Sequence, residues 1–239
     1  MKIIDNTKNY IVCIKPSGAL STDEPGGMPE LIRDALGLSG EQVFSVHRLD
    51  RVVAGLCVYA RRRSDASRLS ELVRNGGFGK EYLAVVHGRP EVSSGTYTDL
   101  LFRDSSENKT YVVKRMRKGV REAILNYELL AEADGMSLVR IELVTGRTHQ
   151  IRAQFSSRQM PLVGDRKYGG GDDGCPIALW SHKISFEGKE YSALPPEIYP
   201  WTLFPGMTEK YAPEDTELAD RSLHRRALSG GIASGSVEA

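Results

Sequence analysis

Between Lys109 and Val144 the chain carries three β-type runs in quick succession. They are Lys109-Thr-Tyr-Val-Val113, Ala123-Ile-Leu-Asn-Tyr-Glu-Leu-Leu130 and Ser137-Leu-Val-Arg-Ile-Glu-Leu-Val144. Each alternates or bunches apolar side chains, and polar or glycine-bearing connections of fewer than ten residues separate them. A parallel pair needs a crossover of about a dozen residues or more, so these strands are expected to pair antiparallel. Further strands read at Tyr10–Ile14, Gly55–Ala60, Glu81–His87 and Ile177–Phe186. One helix has Pro29 in its first turn, Leu31, Ile32, Ala35 and Leu36 on one face, and Gly37 near its end. A second, capped by Ser64, turns Ala66, Leu69, Leu72 and Val73 inward and stops at Gly76-Gly77. A third runs from Thr148 to about Arg158. The expected class is α+β: a mixed, mainly antiparallel sheet with a central cleft flanked by helices and loops.

A chain of 239 residues with 40% hydrophobic composition can build a substantial core without staples. Residues 1–206 read as one domain. After Phe204 the composition turns acidic and then Gly/Ser-rich, so residues 207–239 are expected to form a flexible tail. Cys13, Cys57 and Cys175 have neither disulfide-framework nor zinc-ribbon spacing. The longest apolar stretch, Val52 to Ala60, is nine residues, against about 20 for a membrane span. Together with an N-terminus that places Lys2 and Asp5 ahead of any apolar segment, these features predict a soluble cytoplasmic protein with no membrane partner. The five histidines lack metal-ligand spacing, and no metal is expected. Neither a phosphate-binding G-x-x-x-x-G-K-[ST] nor a G-x-S-x-G is present, and Gly169-Gly170-Gly171 reads as a flexible loop.

The formal charge of +1 conceals a strong segregation. Residues 41–63 carry +3, residues 103–121 carry +5 and residues 140–167 carry +4, while residues 187–221 carry −5. A single basic cluster is usually a solvated face. Three, spaced between strands and offset by an acidic stretch, fit a surface that follows phosphates.

Two constellations sit inside these basic segments. In His47-Arg48-Leu49-Asp50-Arg51 a carboxylate stands between arginines in a connection between apolar strands. Such a group is kept charged, as a nucleophile or general base must be, although a turn aspartate in a local salt bridge has the same pattern. In Thr145-Gly-Arg-Thr-His-Gln-Ile-Arg152 a helix starting near Thr148 would aim free N–H groups at an anion. On that helix His149 and Arg152 share one face, and Ile151 and Phe155 another. The plain alternative is a basic amphipathic helix. Tyr82, after Lys80-Glu81 at the mouth of a strand, is a packing residue unless it stands beside Asp50.

Taken together, the chain resembles the RluA family of RNA pseudouridine synthases from about Tyr10 to Phe204. The resemblance rests on Lys15-Pro-Ser-Gly18, His47-Arg-Leu-Asp50 with Ala54-Gly-Leu56, Lys80-Glu-Tyr-Leu-Ala84, Gly146-Arg-Thr-His-Gln-Ile-Arg152 and Pro161-Leu-Val-Gly-Asp165. Ala54 departs from the usual serine, which trims a hydrogen bond and removes no catalytic group. The chain begins directly with the catalytic-domain pattern, without the small S4 module of some relatives. The resemblance implies Asp50 as the catalytic aspartate, Tyr82 as the active-site tyrosine and Arg152 as the basic residue that pairs with the aspartate. It implies Arg48 as the residue that fills the space of a flipped nucleotide. Arg51, Arg147, His149 and Gln150 are the remaining expected RNA contacts. The implied activity is isomerisation of uridine to pseudouridine in ribosomal or transfer RNA, with no cofactor; a monomer is the default expectation, which no residue pattern sets. Both attack on the ribose and glycal formation suit an ionised carboxylate. A non-catalytic RNA-binding protein and a metal-dependent nucleic-acid hydrolase are the rival readings.

Overall fold

The computed structural model describes residues 1–38, 40–169 and 171–206. The expected tail from residue 207 and the centre of the glycine run lie outside the described residues. Eleven strands and three helices follow in chain order. They are β1 (Lys2–Asn6), β2 (Tyr10–Lys15), α1 (Met28–Leu36), β3 (Phe44–Ser45), β4 (Ala54–Ala60), α2 (Arg63–Asn75), β5 (Phe78–His87), β6 (Ser94–Asp104), β7 (Lys109–Val113), β8 (Val120–Ala133), β9 (Met136–Leu143), α3 (Gln150–Ser156), β10 (Leu179–Phe186) and β11 (Lys189–Ser192). All the strands join one sheet, in the order β1-β2-β4-β10-β5-β9-β8-β6-β7, with β3 on β4 and β11 on β10.

Pairing is antiparallel throughout except for β4 and β10, which run parallel. The expected class is therefore the observed one. Strands β8 and β9 are neighbours, as their short connection requires. β7 and β8 are not, because β6 lies between them and pairs with both. The pattern at residues 94–104 conceals that strand: five of the eight residues Ser94–Leu101 are polar or glycine, and the strand is only partly buried.

The apolar runs of β2 and β4 are continuous because both faces of the sheet are covered there. Ile11, Cys13, Cys57 and Tyr59 point to one face, with Met28 and Ile32 of α1 and Ile151 and Phe155 of α3. Tyr10, Val12, Leu56, Val58 and Ala60 point to the other, against Leu69 of α2. Gly37 and Gly76 end α1 and α2 in the left-handed conformation, as their positions in the sequence imply. Helix α2 begins two residues earlier than expected, with Arg62 and not Ser64 at its N-cap and no side-chain cap.

One glycine is required by contact. Gly55, at φ +118°, pairs with Ser181, and a Cβ there would lie 2.4 Å from the Ser181 carbonyl oxygen. This close approach lets β4 and β10 run parallel beneath the loop that precedes β4. Gly55→Ala is expected to destabilise the protein by about 3 kcal/mol in urea unfolding. An unchanged midpoint would refute the steric requirement.

His47 opens that loop and is buried, with its Nε2 accepting the Val58 N–H at 3.1 Å. Burial, aided by the Lys80 charge, pushes its pKa down to about 3. The unfolded chain takes up this proton near pH 6.5, so the stability tied to neutral His47 is complete above that pH and is lost as pH falls toward 3. His47→Gln, which keeps an acceptor but cannot titrate, should flatten the decline of thermal stability across this range.

Candidate active site

The loop bearing Asp50 is pinned by the segment that follows β2. The buried Lys15 donates from Nζ to the carbonyls of Pro16 (2.9 Å), Ala19 (2.8 Å) and Arg51 (3.1 Å). Burial pushes this ammonium down to about 8, while the nearby Cys57 and Asp50 oppose the shift. Ser17 donates to the Val52 carbonyl, and the Gly18 N–H donates to that of Arg51. Ser21 grips Leu49 through both its N–H and its carbonyl. The backbone on either side of Asp50 is thus held, and its carboxylate has little freedom to search.

The opposite wall comes from α3 and the segment after it. Arg152, only 5% exposed, is a fork between two carboxylates. Its Nε and Nη2 donate to Asp165 Oδ2 and Oδ1, both at 2.8 Å, and its Nη1 donates to Asp50 Oδ2 at 3.1 Å. Asp165 is sealed, with a fully buried side chain, whereas that of Asp50 stays 22% exposed. The planar guanidinium suits this geometry because its donors diverge in fixed directions. One carboxylate is locked inside and holds the arginine; the other remains open at its outer edge.

Tyr82 of β5 is buried in the core within electrostatic reach of Asp50. It sits on a row that crosses the sheet from Gly55 through Ser181 and Tyr82 to Ile141 and Tyr127. It is buried, and burial pushes its phenol well above the ordinary range, with the Cys57 and Asp50 charges acting in the same sense. The hydroxyl is therefore protonated at neutral pH.

The structure thus brings Asp50, Tyr82 and Arg152 together. Arg48, Arg51 and Arg147 are exposed around the opening, with Arg51 Nε donating to the Gly18 carbonyl and Arg147 Nε to that of Glu122. Two expected RNA contacts turn inward. Gln150, 3% exposed, accepts the Arg147 N–H and the Thr145 hydroxyl proton and donates to the Ile124 carbonyl, so it braces the turn. His149 meets Tyr168 at 2.9 Å through Nδ1, and its Nε2 lies 3.8 Å from Asp50 Oδ2. The start of the helix differs from the expected one. His149 has φ +52°, so α3 begins at Gln150 and not at Thr148. The Arg147 N–H expected to face an anion is taken by the Gln150 side chain.

Lys15, Ser21, Asp165 and Tyr168 were not singled out for a role in the sequence. Lys15 and Asp165 do fall in the motifs quoted above, and a lysine at the end of an apolar strand run is the one local signal. Among the described residues no group of three or more His, Cys, Asp or Glu side chains gathers to hold a metal ion, and no helix is long and apolar enough to cross a membrane.

Comparison with solved structures agrees with this architecture. Human RNA pseudouridylate synthase domain containing 4 superposes with a TM-score of 0.70 at 22% identity, covering 82% of this chain and 88% of that one. Human RNA pseudouridylate synthase domain containing 1 gives 0.70 at 18%, covering 98% and 96%. The fold is that of a pseudouridylate synthase domain. The family model described as RNA pseudouridylate synthase matches residues 9–157, and the chain belongs to that family. Among relatives, it is 34% identical over 183 residues to an uncharacterized RNA pseudouridine synthase of Zymomonas mobilis, covering 71% of this chain and 83% of that one. It is 35% identical over 164 residues to ribosomal large subunit pseudouridine synthase C of Buchnera aphidicola, covering 67% and 51%. It is 30% identical over 179 residues to an uncharacterized RNA pseudouridine synthase, YhcT, of Bacillus subtilis, covering 72% and 58%. The chain therefore spans between half and three-fifths of the length of these last two relatives.

Removing the fork leaves Asp165 buried without its counter-charge. Arg152→Ala is expected to cost about 3–5 kcal/mol in urea unfolding. In a double-mutant cycle Arg152→Ala with Asp165→Ala should cost much less than the sum of the single changes. Additive losses would show that the two residues act independently.

Proposed function

We propose that this chain isomerises uridine to pseudouridine in structured RNA, ribosomal or transfer, in the cytoplasm, with Asp50 as the essential carboxylate. The observation that carries this reading is the Asp50–Arg152 contact: a half-open carboxylate aimed by a buried arginine above a sealed tyrosine.

Isomerisation breaks the N1–C1′ bond, turns the base and joins C5 to C1′; the hydrogen on C5 is lost as a proton and N1 gains one. No electrons are exchanged with an outside partner, so the chemistry asks for no redox cofactor. A charged carboxylate can attack C1′ or take the proton that opens the glycal path. Arg152 holds Asp50 in register for either. Tyr82 supplies an aromatic floor for the base and, being protonated, a hydroxyl that can pass a proton.

The target base must leave its stack to reach this cleft, at a cost of a few kcal/mol. Exposed Arg48, next but one to Asp50, is placed to occupy the vacated space. Arg51 and Arg147 at the opening supply phosphate contacts that offset the cost. The connection between β7 and β8, Lys114-Arg-Met-Arg-Lys118, is exposed throughout and extends the basic surface, with Arg117 lying over the Phe102 ring. Residues 1–206 act in this reading as one catalytic domain, in a monomer.

The decisive measurement is tritium release from in-vitro-transcribed ribosomal and transfer RNA carrying 5-tritiated uridine. Wild type should release tritium, and Asp50→Asn should reduce the rate by about three orders of magnitude or more. Full activity in the variant would sink the assignment. Arg48→Ala should lower turnover without lowering the melting temperature. A loss explained by unfolding would contradict the flipping role.

A further inference from the structure

His149 and Tyr168 form a chain of contacts that ends on the Asp50 carboxylate. The Thr110 N–H donates to the Tyr168 hydroxyl oxygen at 2.7 Å, and that hydroxyl meets His149 Nδ1 at 2.9 Å. His149 Nε2 lies 3.8 Å from Asp50 Oδ2, the same oxygen that accepts from Arg152. Among the described residues no donor reaches Asp50 Oδ1.

We propose that Tyr168 and His149 are positioning residues: the tyrosine hydroxyl holds His149 in its Nε2–H form, and that N–H steadies Oδ2 of Asp50 so that Oδ1 is the oxygen presented to the ribose. The proposal rests on the uridine-isomerising reading above for its chemistry, but not for its geometry.

The proton assignment follows from counting donors. Tyr168 receives the Thr110 N–H and has one proton of its own to give; His149 Nδ1 is the acceptor within reach. An Nδ1 that accepts places the ring proton on Nε2. The reverse tautomer would leave the tyrosine proton without this acceptor and turn the Nε2 lone pair toward a carboxylate. Burial lowers the His149 pKa, and the Arg152 and Lys167 charges add to this while Asp50 and Asp165 oppose it. The ring is thereby favoured in its neutral form, with a single proton to place.

Both residues are held where this role needs them. The Tyr168 backbone N–H donates to Asp165 Oδ1, and Ser156 donates to the Tyr168 carbonyl. The Tyr168 ring lies 4.9 Å from the Arg152 guanidinium carbon and 5.2 Å from Lys109 Nζ. His149 occupies the left-handed region at φ +52°, a conformation that costs a non-glycine residue about 1 kcal/mol or more. That conformation takes the residue off α3 and lets its ring lie between Tyr168 and Asp50, where a helical His149 would belong to the helix face. Oδ2 then faces the charged Arg152 donor and the neutral His149 ring, and Oδ1 is left for chemistry, the division of labour expected where a nucleophile must be aimed.

The test has two arms. In wild-type protein labelled with ¹⁵N-histidine, the ring nitrogens of His149 should appear as a bare Nδ1 and a protonated Nε2 at neutral pH. In Tyr168→Phe this pattern should give way to a mixture of tautomers. In the tritium-release assay Tyr168→Phe should lower kcat about tenfold with KM for RNA unchanged within about twofold. His149→Gln, whose amide can still present an N–H, should retain more turnover than His149→Ala. A wild-type His149 protonated on Nδ1 would overturn the proposal. So would a Tyr168→Phe effect confined to KM, which would make these residues RNA contacts. The tautomer measurement needs no turnover, so a protein inactive on every RNA tried would count against the uridine-isomerising reading and leave the positioning claim to the ¹⁵N spectrum.

Discussion

The Arg152 guanidinium between Asp50 and Asp165 is the interaction on which the rest of the site depends. Two of its donors are spent on a carboxylate that no substrate can reach, and one on a carboxylate that stays partly open. A buried arginine with one carboxylate partner is a neutral pair; with two, the site as a whole carries a negative charge on the exposed member. Desolvating three charged groups is costly, and the packing of α3 against the sheet through Ile151 and Phe155 supplies apolar burial that offsets it. The same helix therefore anchors itself with its apolar residues and aims the carboxylate with its one arginine.

The second half of the constraint lies on the far side of the cleft. Asp50 belongs to no helix or strand, yet Lys15, Ser17, Gly18 and Ser21 bond to the residues around it. Lys15 carries its charge in a buried position to do so, with a depressed pKa as the consequence. The parallel pairing of β4 with β10 at Gly55 and Ser181 puts Tyr82 of β5 on the same cross-sheet row, within electrostatic reach of the carboxylate. Loop, helix and sheet each contribute one group, and none of the three is adjacent to another in the chain.

Much of the fold was legible because its signals are local. β2, β4, β5, β7, β8, β9 and β10 announce themselves by apolar runs or alternation, and Gly37 and Gly76 mark the ends of their helices by the left-handed turn that only glycine adopts cheaply. Strand β6 was hidden because its outer half is polar and partly exposed, and its presence changes which strands β7 and β8 touch. In the site, Asp50, Tyr82 and Arg152 stood out by charge context and motif. The start of α3 was set two residues too early, at Thr148 and not Gln150. A single left-handed residue rotates everything before it off the helix face, and nothing in the residue type histidine announces it.

The sequence by itself determined the class of fold, the family, the basic segments and the carboxylate most worth testing, since each depends on residue type, spacing or order along the chain. Only the tertiary structure decided which groups share an atom. That Arg152 gives Asp165 two of the three donors it spends on carboxylates, that Lys15 points back at the catalytic loop, and that His149 faces Asp50 are facts about convergence in space. Hydrogen bonds are made over about 3 Å, and residues separated by 102 positions, as Asp50 and Arg152 are, come within that distance only when the whole sheet between them has closed.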